Sequence, residues 1–459
     1  MAGIGFQLER LARDGGVGGI ASAAVYGTVV SSGPWLLTVG AVLLLQRWTG
    51  GMTVIQTILI YAFSASAVIA APLSIISVRM ASDRLFAADR DAVPGVLLAA
   101  ISLAVVPALL AGNIMFGMIG AQPATVTFLA TAIVVLLAQV SIAAPFLTAT
   151  KRHQPILIGY LAGVGGATLI IRLFDLHDPT ALLASIAGGL AVALLLLTAT
   201  ICAEFPASPT WPANWSKDVR RLTPVGFAGL ASALAAWIDK WLLWWSPASV
   251  GTIGGLRLNS INDQSSFLGL LTIIPGLALM LIVSETRLET SFSNLMARCT
   301  GTSKLARIEE GRRDVARTIL RDLRLLVLVQ AVLAGICWVL APEIVRLIGF
   351  DARGIFAFRL TVVGVIFHVV TIYATTVLSY YDLFGRILAI WTTFVAVSAV
   401  ATLASWDLGF ASFGYGYLAG ALAAASLALA LLADATIHLT YLLFVGNNPA
   451  VVGDLRYWR

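Results

Sequence analysis

Two opposite charges lie inside an apolar segment that is rich in tryptophan. The segment is Trp237-Ile238-Asp239-Lys240-Trp241-Leu242-Leu243-Trp244-Trp245. Charged side chains inside a membrane are energetically costly, and they usually face a partner or a water-filled cavity. At about 100° per residue the four tryptophans form one helical stripe that Lys240 borders, and Asp239 points about 100° away from Lys240. An indole face beside a cation suits the apolar face of a sugar ring or a cation–π contact.

The alternative interpretation of this segment is structural: an aromatic belt at the membrane interface, with Lys240 extending to the outer headgroups. Both interpretations stay open here. The candidate lining of a translocation path comprises Trp237, Asp239, Lys240, Trp241, Gly33 and Pro34. Pro34 is included because a proline removes a backbone donor and predicts a kink within the first apolar run.

A second pair of charged segments predicts a gate on the cytoplasmic side. Pro72 precedes Ser82-Asp83-Arg84-Leu85, and Pro275 precedes Ser284-Glu285-Thr286-Arg287-Leu288. Asp83 and Arg84 could pair with Glu285 and Arg287 across the two halves of the chain. The alternative is that these charges only mark the membrane boundary.

Signatures of an enzyme are nearly missing from the sequence. Asp89-Arg90-Asp91 has the D-x-D spacing of metal-dependent glycosyltransferases, but it lies in a short loop with no nucleotide-binding domain around it. The four histidines lack the spacing of zinc ligands, and no G-x-x-x-x-G-K-[ST] phosphate loop occurs. The sequence therefore predicts a non-enzymatic protein with no metal, cofactor or nucleic-acid partner.

The composition requires a membrane around these residues. The chain of 459 residues is 59% hydrophobic and only 11% charged, with a mean hydropathy of +0.92, whereas soluble domains carry roughly 25% charged residues. Apolar runs near the 20 residues needed to span a bilayer occur at about 18–46, 53–78, 92–118, 124–149, 155–171, 180–203, 222–246, 265–284, 322–340, 357–380, 387–405 and 413–432. Most of the 29 lysines and arginines fall on one side when both termini are cytoplasmic, as the positive-inside rule favours. We therefore expect an all-α integral membrane protein of about twelve transmembrane helices.

The runs divide into two lobes of six helices. Residues 1–203 form the N-terminal lobe, 204–221 a cytoplasmic connector, and 222–459 the C-terminal lobe. Within the second lobe, residues 285–321 predict an amphipathic cytoplasmic connector, because Leu288, Phe292 and Leu295 follow helical spacing. A second helix could begin there, capped by Ser303. This connector would bind membrane headgroups or a cytosolic partner.

Several motifs resemble the PelG family of inner-membrane transporters for Pel exopolysaccharide. They are Met1-Ala2-Gly3-Ile4-Gly5-Phe6, Ser31-Ser32-Gly33-Pro34-Trp35-Leu36-Leu37, Ser82-Asp83-Arg84-Leu85-Phe86, Trp237-Ile238-Asp239-Lys240-Trp241, and the stretch from Phe267 through Pro275 to Glu285-Thr286. The resemblance covers most of the chain. The run Gly15-Gly16-Val17-Gly18-Gly19 departs from the family pattern.

The resemblance implies the fold of the multidrug/oligosaccharidyl-lipid/polysaccharide flippase (MOP) superfamily. It also implies a hexosamine-containing polymer as cargo, moved from cytoplasm to periplasm across the bacterial inner membrane. The implied partners are a cytosolic Pel glycosyltransferase that uses UDP-sugars, membrane-anchored Pel companion proteins including a cyclic-di-GMP receptor, and membrane lipids.

Three other functions compete with this one. An ion-coupled multidrug antiporter of the same superfamily would need buried carboxylates in the N-terminal lobe, and the predicted interiors of its six spans contain none. A membrane glycosyltransferase would need a donor site. A membrane scaffold for the synthase, with no conduit, is disfavoured only by the charged seventh span.

Overall fold

The computed structural model describes residues 54–149, 154–207, 210–212, 215–247, 251–301 and 303–446, except for the side chain of Glu285. Eleven helices within these residues are long and apolar enough to cross a membrane. We label them α1 (Val54–Phe86), α2 (Val93–Ile119), α3 (Ala124–Ala149), α4 (Gln154–Leu173), α5 (Pro179–Glu204), α6 (Trp215–Trp244), α7 (Ser260–Thr300), α8 (Leu305–Ile348), α9 (Ile355–Tyr380), α10 (Phe384–Ala404) and α11 (Tyr415–Ile437). Each overlaps one of the predicted spans, while the first predicted span lies outside the described residues.

The described residues divide into two compact units. The first lies within Ser32–Ala233 and takes in Gly251–Leu258, and the second lies within Leu234–Val250 and Asn259–Arg459. Helix α6 therefore contributes its first part to one unit and its last part to the other. Helices predominate because a backbone in hydrocarbon must satisfy its hydrogen bonds within its own segment.

In the first unit, α3 packs against α1, α2 and α5. Helices α4 and α5 approach most closely where glycine faces glycine. A Cβ atom added to Gly189 would lie 2.5 Å from the carbonyl oxygen of Gly163, and one added to Gly163 would lie 2.4 Å from that of Gly189. Small residues at such crossings let membrane helices pack backbone to backbone.

A two-stranded antiparallel hairpin also belongs to the first unit. Strands β1 (Gly251–Ile253) and β2 (Leu256–Leu258) are joined by Gly254 and Gly255. These glycines have φ values of +55° and +75°, the left-handed backbone that a two-residue hairpin turn of type I′ requires. The Tyr61 hydroxyl donates to the carbonyl oxygen of Arg257 at 2.6 Å, and the Gln122 side chain donates to that of Gly254. The hairpin is thereby attached to α1 and to the loop before α3.

In the second unit, α9 is the central helix and contacts α8, α11 and the first part of α7. Helix α11 also packs along α10, where Gly416 and Gly420 face Thr402 and Phe394. This arrangement buries the polar residues described below between α6, α7, α9 and α11.

The predicted connector 285–321 is helical, but it is not a separate surface helix. Residues up to Thr300 continue α7, and α8 begins at Leu305, so the two helices form a hairpin with a short turn. Leu295 of α7 packs on Gly311 of α8, and the hydroxyls of Ser291 and Thr318 lie 3.0 Å apart. The predicted cap was also wrong: the residue before α8 is Lys304, which makes no side-chain capping bond.

Candidate functional site

The two charges predicted within the membrane form an ion pair buried in the second unit. Asp239 and Lys240 are 1% and 3% exposed. The Lys240 ammonium lies 3.1 Å and 3.3 Å from the two Asp239 carboxylate oxygens, and it donates to the Ala236 carbonyl at 3.0 Å. Neighbouring Cβ atoms on a helix diverge by about 100°, but the flexible four-carbon stem of lysine brings its ammonium back to Asp239. The predicted divergence of about 100° therefore applies to the Cβ directions, and it does not prevent the Lys240 ammonium from reaching the Asp239 carboxylate.

The alternative interpretation, a lysine that reaches the outer headgroups, is wrong for this structure. The Lys240 ammonium lies 5.6 Å from the centre of the Tyr417 ring, within range of a cation–π contact. The Tyr417 hydroxyl in turn lies 2.7 Å from Nδ1 of His368. Trp391 and Phe394 pack edge-on against the His368 ring. The ion pair thus continues into a buried aromatic cluster on α9, α10 and α11.

A second buried carboxylate lies nearby, on the first turn of α7. The Trp244 indole donates to an oxygen of Asp263 at 2.8 Å, and the Asn259 backbone N–H donates to the same oxygen at 3.3 Å. The Asn262 amide donates to the other oxygen at 3.4 Å. Asn259 also caps α7 by accepting from the Asn262 backbone N–H. Asp263 is therefore held by neutral donors, unlike Asp239.

The tryptophan stripe is only partly buried. Trp237 and Trp244 are buried, whereas Trp241 is half-buried. The Trp241 indole nitrogen is enclosed and has no hydrogen-bond partner among the described residues. Trp245 follows the last residue of α6 and is 54% exposed. The four indoles thus differ in burial, which helical spacing alone did not predict.

Sequence reasoning missed Asp263, His368 and Tyr417. Asp263 lies before the predicted eighth span at 265–284, although Asn259, Asn262 and Asp263 at a helix start are a usable signal for a polar first turn. His368 and Tyr417 lie on helices far apart in the sequence. Only tertiary packing brings them to Lys240.

The described residues of the predicted gate have partners within their own units. Arg84 pairs with Asp89 at 3.2 Å and with Asp218 at 3.1 Å. Asp83 pairs with Arg221 at 2.9 Å. These contacts join the end of α1 to the start of α6.

In the second unit, Arg287 lies 3.4 Å from the buried carboxylate of Asp322. The side chain of Glu285 lies outside the description, as do Gly33 and Pro34. A gate formed by these residues stays a prediction.

The described part of the chain contains no group of three or more His, Cys, Asp and Glu side chains that could hold a metal ion. The chemistry that the buried cluster offers is that of hydrogen bonds, charge and aromatic faces.

A family model matches almost the whole sequence. It is PelG, described as "Putative exopolysaccharide Exporter (EPS-E)", and it matches residues 1–444. The chain belongs to the PelG family. The resemblance noted from the sequence motifs is therefore confirmed. A comparison with curated proteins gives no significant match.

Solved structures show the fold of this PelG-family chain. A MATE in the straight conformation is 12% identical and has a TM-score of 0.64, with 96% of this chain and 97% of that chain covered. A MOP superfamily transporter from Pyrococcus furiosus is 12% identical, with a TM-score of 0.64 and coverage of 95% and 97%. An inward-facing multidrug resistance MATE family transporter of the MOP superfamily is 14% identical, with a TM-score of 0.61 and coverage of 90% and 95%.

These similarities confirm the predicted all-α, multi-pass membrane fold of the MOP type. At sequence identities of 12% to 14%, these structural similarities are evidence for the fold alone. Together with the family, they identify the chain as a membrane transporter.

Proposed function

We propose that this PelG-family transporter passes a hexosamine-containing, Pel-like exopolysaccharide from the cytoplasm to the periplasm. The observation that carries the proposal is the family match over residues 1–444. The motifs that resemble the family include the charged segment Trp237-Ile238-Asp239-Lys240-Trp241. The proposed partners are a cytosolic Pel glycosyltransferase and membrane-anchored Pel companion proteins. Synthesis by the glycosyltransferase supplies the driving force, because a bound polymer that keeps lengthening biases its own exit.

The buried cluster of the second unit supports a role for Asp239 and Lys240 in this passage. An ion pair in a membrane interior must overcome the desolvation of both groups, and replacing such a pair by apolar side chains is often neutral or stabilising. Stability alone therefore does not explain why the pair is present. Sugar hydroxyls and acetamido groups both donate and accept hydrogen bonds, so they can satisfy either charge when the pair opens.

Trp237 and Trp241 are the aromatic part of the proposed path. An indole presents a flat apolar face, and Trp241 in addition has a buried N–H donor with no partner among the described residues. Such a donor suits a sugar oxygen. Gly33 and Pro34 belong to the same proposal on sequence grounds.

The antiporter alternative is disfavoured by the surroundings of Asp263. A cation-coupling carboxylate needs oxygen atoms that a cation can reach. Both Asp263 oxygens accept from N–H donors, on Trp244, Asn259 and Asn262. This geometry fits a fixed anion better than a cation site.

The experiment measures extracellular hexosamine polymer in a deletion strain that carries the gene on a plasmid. Variants D239N and K240M each leave one buried charge unpaired, which costs about 3–5 kcal/mol, so we expect both to accumulate poorly in the membrane. The double variant D239N/K240M removes both charges and restores abundance, while export falls at least tenfold.

The matched control is E343Q/R346M, which removes an ion pair from the exposed end of α8 and should export normally. If D239N/K240M is abundant and exports as well as the parent, the pair is only structural and the proposed path is wrong. If deletion of the gene leaves extracellular polymer unchanged, the proposed function itself is wrong.

A further inference from the structure

Helix α8 is too long to lie wholly within a membrane. Its 44 residues extend about 66 Å at 1.5 Å per residue, whereas the hydrocarbon core is about 30 Å thick. About half of the helix must therefore project beyond the hydrocarbon.

The exposed face of α8 shows where the hydrocarbon begins and ends. Large apolar side chains are exposed along it from Leu328 through Val332 and Val339 to Leu347. This stretch extends about 28 Å along the helix, close to the thickness of the core. At its far end the exposed ion pair Glu343–Arg346 lies at the opposite interface. Leu320 and Leu305 are also exposed, but they lie about 80° and 140° around the helix from Leu328. On this face Leu328 therefore marks the edge of the hydrocarbon nearer the N-terminus of α8.

Three arginines follow directly beyond that edge on the same face. Arg317, Arg321 and Arg324 are exposed, and at about 100° per residue they fall within about 40° of Leu328. Within the described ranges no hydrogen bond or ion pair joins the side chain of Arg321 or Arg324 to another residue, although the Arg321 charge interacts electrostatically with the Asp322 carboxylate. Arg317 pairs with Asp314 at 3.3 Å but is 76% exposed. We call these three residues the arginine face of α8.

The hairpin partner leaves this face open. Helix α7 covers a different side of α8 through the Ser291–Thr318 and Leu295–Gly311 contacts. Helical side chains point toward the helix N-terminus, which here is the direction away from the hydrocarbon. Arg324 lies about 6 Å beyond Leu328 along the helix, within the headgroup layer, which adds about 5–7 Å on each side of the core. Arg321 and Arg317 follow about 10 Å and 16 Å beyond Leu328, on the aqueous side of that layer.

We propose that the arginine face of α8 binds the phosphate groups of anionic phospholipids. Arginine pairs with phosphate through parallel N–H···O bonds, and the Arg324 guanidinium is at the depth of the headgroup phosphates. Arg321 and Arg317 add positive charge next to the membrane surface, which attracts anionic lipids. The face continues without a break into the lipid-exposed stripe, which favours lipid over a soluble acidic protein as the occupant. The distribution of basic residues predicts that these lipids belong to the cytoplasmic leaflet.

Lipid binding would fix the depth and tilt of α8 in the membrane. The α7–α8 hairpin beyond the arginine face would then stand in the aqueous phase at a defined height. This inference does not depend on the cargo or on the proposed function.

The test titrates the purified full chain in a neutral detergent with phosphatidylglycerol or phosphatidylcholine and counts bound lipids by native mass spectrometry. We expect preferential binding of phosphatidylglycerol that weakens roughly fivefold when Arg324, the arginine nearest the headgroups, is removed and less for the arginines farther out, so that R317Q/R321Q/R324Q loses most of it. The matched control R307Q removes one charge near the tip of the hairpin, about 26 Å from Arg324 along the helix, and should bind like the parent. The variant R317K/R321K/R324K keeps the charge and should retain most of the binding, which guards against misfolding as the cause.

Three outcomes would overturn the proposal. The triple glutamine variant binds phosphatidylglycerol as well as the parent, or R307Q alone loses as much binding as the triple variant. In the third outcome, the triple glutamine variant still binds lipid but no longer retains a cytosolic protein that the parent retains. That result would mean that the arginine face of α8 is a protein interface.

Discussion

At the scale of single residues, the second unit stabilises the buried carboxylates of Asp239 and Asp263 in different ways. Asp239 has a cationic partner, Lys240, whereas Asp263 has three neutral N–H donors. A buried carboxylate without donors is strongly unfavourable, so each arrangement is necessary where it occurs. The difference matters for function, because an ion pair can separate and exchange partners, whereas donors fixed on a capped helix turn hold their carboxylate in place.

Replacing Trp244 by Phe tests how much the neutral donors contribute. Phenylalanine keeps an apolar aromatic ring at this position, but Asp263 loses the hydrogen bond of 2.8 Å from the Trp244 indole. A hydrogen bond to a charged group contributes about 1.5–3 kcal/mol, so W244F should lower the free energy of unfolding by that amount. Denaturation of the purified protein in detergent measures it. The control W245F changes the same residue type at an exposed position and should stay within about 0.5 kcal/mol. Equal effects in the two variants would show that the indole donor to Asp263 has no special role.

At the scale of elements, apolar runs predicted the spanning helices well and their ends poorly. The run at 322–340 was found because its residues face lipid, but α8 begins at Leu305. Its first turns carry Arg307, Arg312 and Arg317 and resemble a solvated loop by hydropathy. A hydropathy profile reflects the environment of the side chains and not the conformation of the backbone. It therefore ends a predicted helix at the membrane interface even where the helix continues into water. The pairing of α7 with α8 depends on contacts such as Leu295 with Gly311, which no local pattern contains.

The glycine contact between α4 and α5 gives a prediction at this scale. In G189A the new methyl group would lie 2.5 Å from the Gly163 carbonyl oxygen, and neither backbone can move alone. We expect a loss of about 1–3 kcal/mol, typical of an overpacked contact. The neighbouring G188A is the control, because a Cβ there has no described atom within 4 Å and alanine favours a helix by about 0.5–1 kcal/mol over glycine. Measuring the free energy of unfolding of both variants in detergent tests this prediction. A G189A protein as stable as G188A would mean that the two helices are farther apart than described.

At the scale of the whole molecule, the sequence predicted the class of protein and one part of the candidate site. Composition alone required a membrane protein, and the cost of intramembrane charge singled out Asp239 and Lys240. Their surroundings could not be predicted, because His368 and Tyr417 reach Lys240 only through the packing of α9 and α11. The orientation in the membrane stays a prediction at this scale: the distribution of basic residues favours cytoplasmic termini and a cytoplasmic α7–α8 hairpin.

Thiol labelling tests that orientation. In a background with Cys202, Cys299 and Cys337 replaced by serine, T252C is placed on the β1–β2 hairpin and A306C at the tip of the α7–α8 hairpin; both positions are exposed. The positive-inside rule puts the basic α7–α8 hairpin in the cytoplasm and the β-hairpin, one membrane crossing away, in the periplasm.

A membrane-impermeant maleimide should therefore label T252C in intact spheroplasts and A306C only in inverted vesicles, with labelling after solubilisation as the control for reactivity. The reverse pattern would place the arginine face of α8 in the outer leaflet. A glycosyltransferase in the cytosol could then not reach the α7–α8 hairpin, and the assigned leaflet would be wrong even if the arginines bind lipid.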